Sequence, residues 1–344
     1  MASLIENITA LSGKHAVSGC ENEARRFVLE RLKNKSFESV KTDSLGSVIA
    51  VKKGTDADGK IMVAAYLDEC GFIISGITDD GYLKFKTVGE PDICTAISKR
   101  VCIKGRSPVK GVIGMKAIHL QTKSERENTV PAKKLFIDVG MNEKKAVQRS
   151  IRLGDYAAFD TQCTVSGDII RGKALERSAA SAMLLERLDK TAGNELYFVF
   201  AAQHETGMRG ASAASRSIEP DAVITVGAAA ADDMYKSEKV TVRMGGGVVI
   251  PYTDKNSCCD RELLDKTEEL AKKLKIPYQR AVLKNDFSDS GAFLYGAGGA
   301  RGVNISIPCR YSKTPAGMMS LKDVTAAELL LGALIDNIDE WVAK

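Results

Sequence analysis

IMVAAYLD, the stretch from Ile61 to Asp68, begins as a continuous apolar run and ends on a carboxylate. Strands whose side chains are all apolar are typical of parallel or mixed sheets that helices cover on both faces. A second run of this kind, LYFVFAA at 196–202, ends just before His204 and Glu205. The two runs predict buried strands of an α/β fold, in which functional groups gather at the carboxyl ends of strands.

Helical patterns alternate with strand patterns over most of the remaining sequence. Helices are predicted at 177–190, 209–216, 261–274 and 324–338, and further strands at 47–51, 221–226, 248–250 and 303–307. Ser18 and Glu21 have the spacing of a capping box for an early helix, and Ser320 and Asp323 are candidate caps of the closing helix. The alternation predicts a mixed, largely parallel sheet with helices on both faces.

The segment from 69 to 160 has a different pattern, with short strand-like runs in place of alternating strands and helices. Short β-like runs occur at 72–74, 82–85, 100–103, 111–113, 135–137 and 156–159, and Asp79-Asp80-Gly81 is a hairpin turn signal between the first two. The sequence therefore predicts a small β-barrel-like domain at 69–160, inserted into an α/β domain formed by 1–68 and 161–344.

Charge and hydropathy exclude several classes of function. The net charge of +5 is spread along 344 residues, and a basic stripe with interleaved aromatic residues, typical of nucleic-acid binding, is missing. No apolar run approaches the roughly 20 residues that span a bilayer. The first residues lack the pattern of a signal peptide, so a cytoplasmic protein is expected. Gly245-Gly246-Gly247 lacks a following Lys-Ser/Thr and favours a tight turn over a phosphate site.

Eight sequence motifs, in order and at matching spacing, carry a resemblance that runs nearly end to end. The chain resembles the glutamyl and deblocking aminopeptidases, cytosolic dinuclear zinc enzymes of the tetrahedral-particle type that were sometimes named endoglucanases. The resemblance implies a zinc-exopeptidase-like α/β domain, a β-rich domain used in assembly, and peptide substrates. The motifs are VSGCENEAR (17–25), AAYLDECGF (64–72), GVIGMKAIHL (111–120), GDYAAFD (154–160), GKALERSAA (172–180), FVFAAQHETGMRGA (198–211), SDSGA (288–292) and VNISIPCRYSKTP (303–315).

The resemblance also assigns the positions of the metal ligands and the catalytic base. The family's first His is replaced by Tyr66, although its partner Asp68 remains. The Asp that bridges both metals is Glu176 here, and the Glu that activates water is His204. The neighbouring ligand is retained as Glu205.

The last two family positions offer no ligand. A further Asp of the family is Gly227, and its late His is Lys313. A protonated lysine cannot coordinate Zn²⁺ and repels a divalent cation. We hypothesise that the ammonium of Lys313 replaces the second metal by pairing with Glu176 and Glu205. Of the other histidines, His119 matches a family His in the inserted domain and suggests a structural role, and His15 matches nothing.

These positions predict a catalytically impaired pseudo-peptidase subunit that retains Glu176 and Glu205 as carboxylates of the former metal site. It would bind no cofactor or a weakly held divalent metal, zinc or cobalt if the site works. Expected partners are peptides or amino acids, and either identical subunits or an active relative. The alternative is an active metallo-aminopeptidase with a rearranged or single-metal site using Asp68, Glu176, His204 and Glu205. Glycoside hydrolysis, which needs two carboxyl groups at a defined separation, is suggested by the family's older naming alone.

Overall fold

The apolar run at 61–65 lies in a strand from Lys60 to Tyr66 in the computed structural model, which describes residues 1–55, 59–284, 286–294 and 298–342. The strands in chain order are β1 (Ser39–Thr42), β2 (Val48–Lys52), β3 (Lys60–Tyr66), β4 (Gly71–Ile77), β5 (Leu83–Val88), β6 (Arg100–Lys104), β7 (Pro108–Gly114), β8 (Phe136–Asp138), β9 (Tyr156–Phe159), β10 (Thr164–Ser166), β11 (Ile169–Gly172), β12 (Glu195–Ala201), β13 (Ala222–Ala230), β14 (Val248–Thr253), β15 (Tyr278–Val282), β16 (Arg301–Cys309) and β17 (Gly317–Ser320). The α-helices are α1 (Ala2–Ser12), α2 (Asn22–Leu32), α3 (Ile93–Ala96), α4 (Lys123–Glu127), α5 (Lys144–Gln148), α6 (Leu175–Glu186), α7 (Arg209–Ile218), α8 (Arg261–Lys273), α9 (Ser290–Leu294) and α10 (Leu321–Val342).

Eight strands form the main sheet, in the order β1-β2-β12-β3-β13-β16-β14-β15. The central pairs β12–β3, β3–β13 and β13–β16 are parallel, as is β14–β15. The pairs β1–β2, β2–β12 and β14–β16 are antiparallel. The prediction of a mixed sheet with a parallel centre is confirmed, and the carboxyl ends of β3, β12 and β13 meet at one edge.

Both faces of the main sheet are buried, which explains the continuous apolar runs. Alternate residues of β3 point to opposite sides: Ile61 and Val63 join a core beneath α1, α6, α8 and α10, and Met62 and Ala64 join a second core with α7. Each side chain in the run therefore gains apolar contacts, whichever face it is on. A one-residue shift in register would keep apolar residues on both faces, so the register depends on the flanking polar residues as well.

A closed six-stranded barrel, in the order β4-β5-β8-β7-β6-β9, occupies the segment that the sequence marks as different. Its neighbouring strands are antiparallel, and its interior holds a core of its own that includes Phe72, Ile103 and Ile137. The barrel-like insertion is thus confirmed as a fold element. The exact division at residues 69 and 160 stays a prediction.

Two predicted helix caps are wrong. Helix α2 begins at Asn22, after Glu21, and the Ser18 hydroxyl instead contacts the Thr206 hydroxyl at 2.9 Å. The Asp323 carboxylate accepts hydrogen bonds from the N–H groups of Gly245 and Gly247, at 2.6 and 2.8 Å. Because these glycines have φ of +87° and +93°, the glycine run is the tight turn expected from the sequence.

Several short strands were not predicted from the sequence. β10, β11 and β17 form a separate three-stranded antiparallel sheet, and β1 and β15 are the two edge strands of the main sheet. Such strands have little periodicity of their own, and their pairing stabilises them. Among the described residues, no helix is long and apolar enough to cross a membrane.

Candidate functional site

The carboxyl edge of the main sheet brings the predicted site positions together. Tyr66 is the last residue of β3, and Glu176 lies in the first turn of α6. His204 and Glu205 follow β12, and Lys313 lies between β16 and β17. Gly227 lies inside β13 and does not follow that strand as the sequence had suggested, yet a Cβ atom there would be 3.8 Å from Tyr66 Cε1.

Asp68 holds the backbone of the turn that carries His204 and Glu205. Its two carboxylate oxygens accept the N–H groups of these residues at 2.8 and 2.9 Å. The turn begins at Gln203, which has a left-handed φ of +57° that costs a non-glycine residue energy. Burial raises the pKa of Asp68 to about 7, while His204 and the Glu205 N–H favour the charged carboxylate. Asp68 therefore positions backbone atoms in this chain.

An aromatic stack surrounds the His204 ring. The rings of Tyr66 and His204 lie 3.9 Å apart and nearly parallel, at 9°, and Phe287 covers the other face of His204 at 4.8 Å and 20°. Burial, helped by the Glu176 and Glu205 charges, raises the pKa of Tyr66 well above 10. Its phenol consequently stays neutral, a form that binds metal ions poorly.

His204 is bound to an acidic residue that the sequence reasoning did not assign to the site. Its Nδ1 lies 2.7 Å from Asp289 Oδ1, and both side chains are buried. Burial opposes a charge on the ring, but the Asp289 carboxylate outweighs it, and the pKa of His204 is raised. The ring is therefore held in place by stacking and by an ion pair.

Lys313 pairs with the two retained carboxylates in different ways. Its Nζ lies 3.5 Å from Glu205 Oε2 and 4.7 Å from the centroid of the Phe287 ring. Its backbone N–H, at a left-handed φ of +59°, donates to Glu176 Oε1 at 2.6 Å. Burial disfavours the ammonium, but nearby carboxylates, Glu205 first, raise the pKa of Lys313. The hypothesis of one ammonium between both carboxylates holds for Glu205, whereas Glu176 is bound by the main chain.

The barrel supplies one wall of the site. The N–H of Asp92, just beyond β5, donates to the carbonyl oxygen of Lys313 at 3.1 Å. Gly89 approaches Glu205 so closely that a Cβ atom there would be 2.8 Å from Glu205 Oε2. Its φ of +70° also favours glycine. This wall could not be predicted from the sequence, because it depends on how the barrel packs against the sheet.

The cavity at the centre of the site is small. It measures about 20 Å³ and is lined by residues that include Tyr66, Asp68, Glu176, Glu205 and Lys313. A single water needs roughly 10–15 Å³ measured in this way, so the cavity has room for about one water. An amino-acid side chain cannot enter unless a lining group moves.

The donor groups at these positions do not fit a dinuclear zinc site. Zn²⁺ takes His nitrogen, Cys sulfur and carboxylate oxygen in a converging set. Across the part of the chain that the structure describes, no group of three or more His, Cys, Asp and Glu side chains has a geometry that could hold a metal ion. An ammonium adjoins Glu205, the Tyr66 ring stacks on the imidazole of His204, and position 227 has no side chain.

The remaining histidines lie away from these positions. His119 is exposed in a short 3₁₀ helix, Ile118–Leu120, of the barrel segment. His15 is buried near Glu69 and Lys173, and in the described part of the chain neither of its ring nitrogens has a hydrogen-bond partner.

Comparisons with known proteins point to one family throughout. Residues 46–330 match the family model described as M42 glutamyl aminopeptidase. A relative from Acetivibrio thermocellus is 36% identical over 333 residues, covering 96% of this chain and 97% of its own length. Among solved structures, the TET aminopeptidase of a marine sediment archaeon (Thaumarchaeota archaeon) is 28% identical with a TM-score of 0.94, covering 98% of both chains. The aminopeptidase of Desulfurococcus kamchatkensis is 31% identical with a TM-score of 0.93, covering 99% of this chain and 97% of its own.

Proposed function

Since the chain belongs to the M42 glutamyl aminopeptidase family, we propose that it is a catalytically impaired member, a pseudo-peptidase whose metal site has been replaced by side-chain contacts. The observation that carries the proposal is the Lys313 ammonium beside Glu205, at the position where the resemblance implies a histidine ligand. A fixed positive charge at this distance from a retained ligand opposes the binding of a divalent cation.

The aromatic stack supports the same proposal. Two-metal hydrolysis needs both ions to hold the nucleophile and the substrate oxygen. Here the Tyr66 ring lies against His204, which stands where the resemblance implies the carboxylate that activates water. The His204 ring is held between Tyr66 and Phe287, and Asp289 occupies its Nδ1, so Nε2 is the one ring nitrogen left to replace that carboxylate.

The proposal extends to partners. The ligand class expected for the fold is a peptide or an amino acid, and we propose that the protein acts as a subunit of a homo-oligomer or of an assembly with an active relative. Ile118 and Leu120 in the barrel segment are 65% and 62% exposed, and self-association would cover such apolar side chains.

Metal content per chain tests the proposal. The intact, assembled protein is incubated with Zn²⁺ or Co²⁺, dialysed extensively and measured by mass spectrometry, alongside hydrolysis of aminoacyl p-nitroanilides. We expect almost no retained metal and no hydrolysis. Two ions per chain would refute the proposal. One ion that a Glu205→Gln variant loses and an exposed Glu30→Gln variant keeps would instead support the single-metal aminopeptidase.

A further inference from the structure

The ion pair between Lys313 and Glu205 is loose. The two charged atoms lie 3.5 Å apart, whereas a well-formed ammonium–carboxylate hydrogen bond measures roughly 2.7–2.9 Å. Glu205 Oε2 is buried, and within the described parts of the chain it has no aligned hydrogen-bond donor. A buried carboxylate oxygen is therefore left partly unsatisfied, which favours any better-placed cation.

An aromatic face completes the surroundings of the ammonium. Lys313 Nζ lies 4.7 Å from the centroid of the Phe287 ring, inside the range of a cation–π interaction. Phe287 is itself fixed by stacking on His204. A carboxylate and a rigid aromatic ring on two sides of one cation form a recognition site for an ammonium group, whichever molecule carries it.

The side chain of Lys313 is less restrained than its backbone. The backbone is anchored to Glu176 and to the N–H of Asp92, and the side chain remains 27% exposed. The ammonium therefore lies near the solvent boundary on a flexible four-carbon stem. Because the cavity holds about one water while Lys313 is in place, an external ligand enters only when this side chain swings out.

We propose that Glu205 and the Phe287 ring form an ammonium-binding site that Lys313 occupies as a built-in competitor of an external primary ammonium. We call these three residues the ammonium box. The ligand class is a primary ammonium, carried by a peptide N-terminus or by an alkylamine. The inference rests on the proposed function in one respect, since a metal ion on Glu205 would exclude both cations.

Chemical rescue tests the box directly. Lys313→Ala removes three methylenes and the ammonium, a fragment that n-propylammonium replaces atom for atom. We expect calorimetry to show saturable binding of n-propylammonium to metal-free Lys313→Ala in the millimolar range, with a rise in melting temperature. Wild type and Lys322→Ala should show at least tenfold weaker binding, since Lys322 is an exposed surface lysine paired with Asp168. The neutral isostere 1-propanol should not bind.

Second-site variants measure how much Phe287 and Glu205 each contribute to ammonium binding. In the Lys313→Ala background, Phe287→Leu should weaken n-propylammonium binding about fivefold, the equivalent of a cation–π contact of about 1 kcal/mol. Glu205→Gln should weaken it at least tenfold. Glycinamide, which has a free amino group, and N-acetylglycinamide, which has none, distinguish the ligand sources. Binding of glycinamide but not of N-acetylglycinamide supports a peptide N-terminus as the ligand. If neither compound binds, the ligand is an alkylamine.

Several results would overturn the inference. A folded Lys313→Ala that binds n-propylammonium no better than 1-propanol would do so. If Lys313→Ala does not fold, Lys313→Met keeps most of the volume. Lys313→Met should be less stable than wild type, and adding Glu205→Gln should restore part of that stability. A double variant that is no more stable than Lys313→Met would contradict the ammonium box. Metal content is measured on the same samples, so zinc retained by wild type counts against the proposed function, whereas missing amine binding by metal-free protein counts against the box alone.

Discussion

Replacing Lys173 by methionine should destabilise the protein, because it leaves a buried carboxylate without its main partner. Lys173 Nζ lies 2.6 and 2.7 Å from the two oxygens of Glu69, and the two side chains are only 5% and 4% exposed. The same ammonium donates to the carbonyl oxygen of Lys14 at 2.9 Å. Burial would raise the pKa of Glu69, but the charges of Lys173 and Arg177 outweigh it and lower that pKa. The carboxylate is therefore charged in the folded protein.

The expected loss is about 3 kcal/mol of unfolding free energy. Removing one partner of a buried ion pair costs about 3–5 kcal/mol. The lower end applies because two donors stay on Glu69 Oε1: the N–H of Ala16 at 3.0 Å and Arg177 Nη2 at 3.4 Å. Adding Glu69→Gln to Lys173→Met removes the unpaired charge, so the double variant should be more stable than Lys173→Met alone.

Urea unfolding followed by circular dichroism measures these differences. The matched control is Lys322→Met, since Lys322 is 76% exposed and its pair with Asp168 should contribute at most about 1 kcal/mol. Equal losses for Lys173→Met and Lys322→Met would refute the reasoning. So would a double variant whose loss equals the sum of the two single losses, because that would mean that the two charges do not interact.

Two further predictions concern a buried histidine and a pair of glycines. Burial lowers the pKa of His15 from 6.5 to about 4, so the folded protein disfavours the protonated ring. The free energy of unfolding is therefore highest above pH 6.5 and falls by about 3 kcal/mol as the pH is lowered toward 4. His15→Phe should flatten the fall in urea midpoint between pH 7 and 4.5, and the exposed-site control His119→Phe should not; equal slopes in both would contradict this. Gly227→Ala should change stability by less than about 1 kcal/mol, because its Cβ would lie 3.8 Å from Tyr66 Cε1. Gly210→Ala should lower the melting temperature clearly, since its Cβ would lie 2.4 Å from a backbone oxygen. A larger loss of stability for Gly227→Ala than for Gly210→Ala would contradict this and show that the backbone around Gly210 relaxes.

The sequence predicted the parts of this fold that depend on local pattern. β3 and β12 were found because burial on both faces makes their sequences apolar throughout. The barrel was found because short runs and turn signals recur across its segment. The edge strands β1 and β15 were missed, because they are short and largely exposed and so lack a clear apolar pattern.

The site, too, could be predicted from the sequence only in part. The resemblance located Tyr66 and Lys313 at their positions, because the motifs around them are long and well spaced. It could not show that Phe287 and Asp289 close the stack around His204, since these residues reach the site from the segment between β15 and α9. The motif SDSGA was visible, but nothing in it predicted an ion pair with a histidine 85 residues earlier.

Three non-glycine residues at the site have strained backbone conformations. Ala174, Gln203 and Lys313 all have left-handed φ values, of +49°, +57° and +59°, and each costs a non-glycine residue about 1–2 kcal/mol. Two retained carboxylates offset part of this cost. Asp68 binds the two N–H groups that follow Gln203, and Glu176 binds the N–H of Lys313 itself.

These hydrogen bonds explain, without a metal ion, why acidic residues occupy positions 68 and 176. No strained N–H group of the described structure is bound by the side chains at Tyr66, His204 and Gly227. The resemblance implies a His ligand, the Glu that activates water and a further Asp at these three positions. The carboxylates of Asp68 and Glu176 are therefore weak evidence for catalysis. The proposal of an impaired site rests instead on the Lys313 ammonium beside Glu205 and on the stacked rings of Tyr66 and His204.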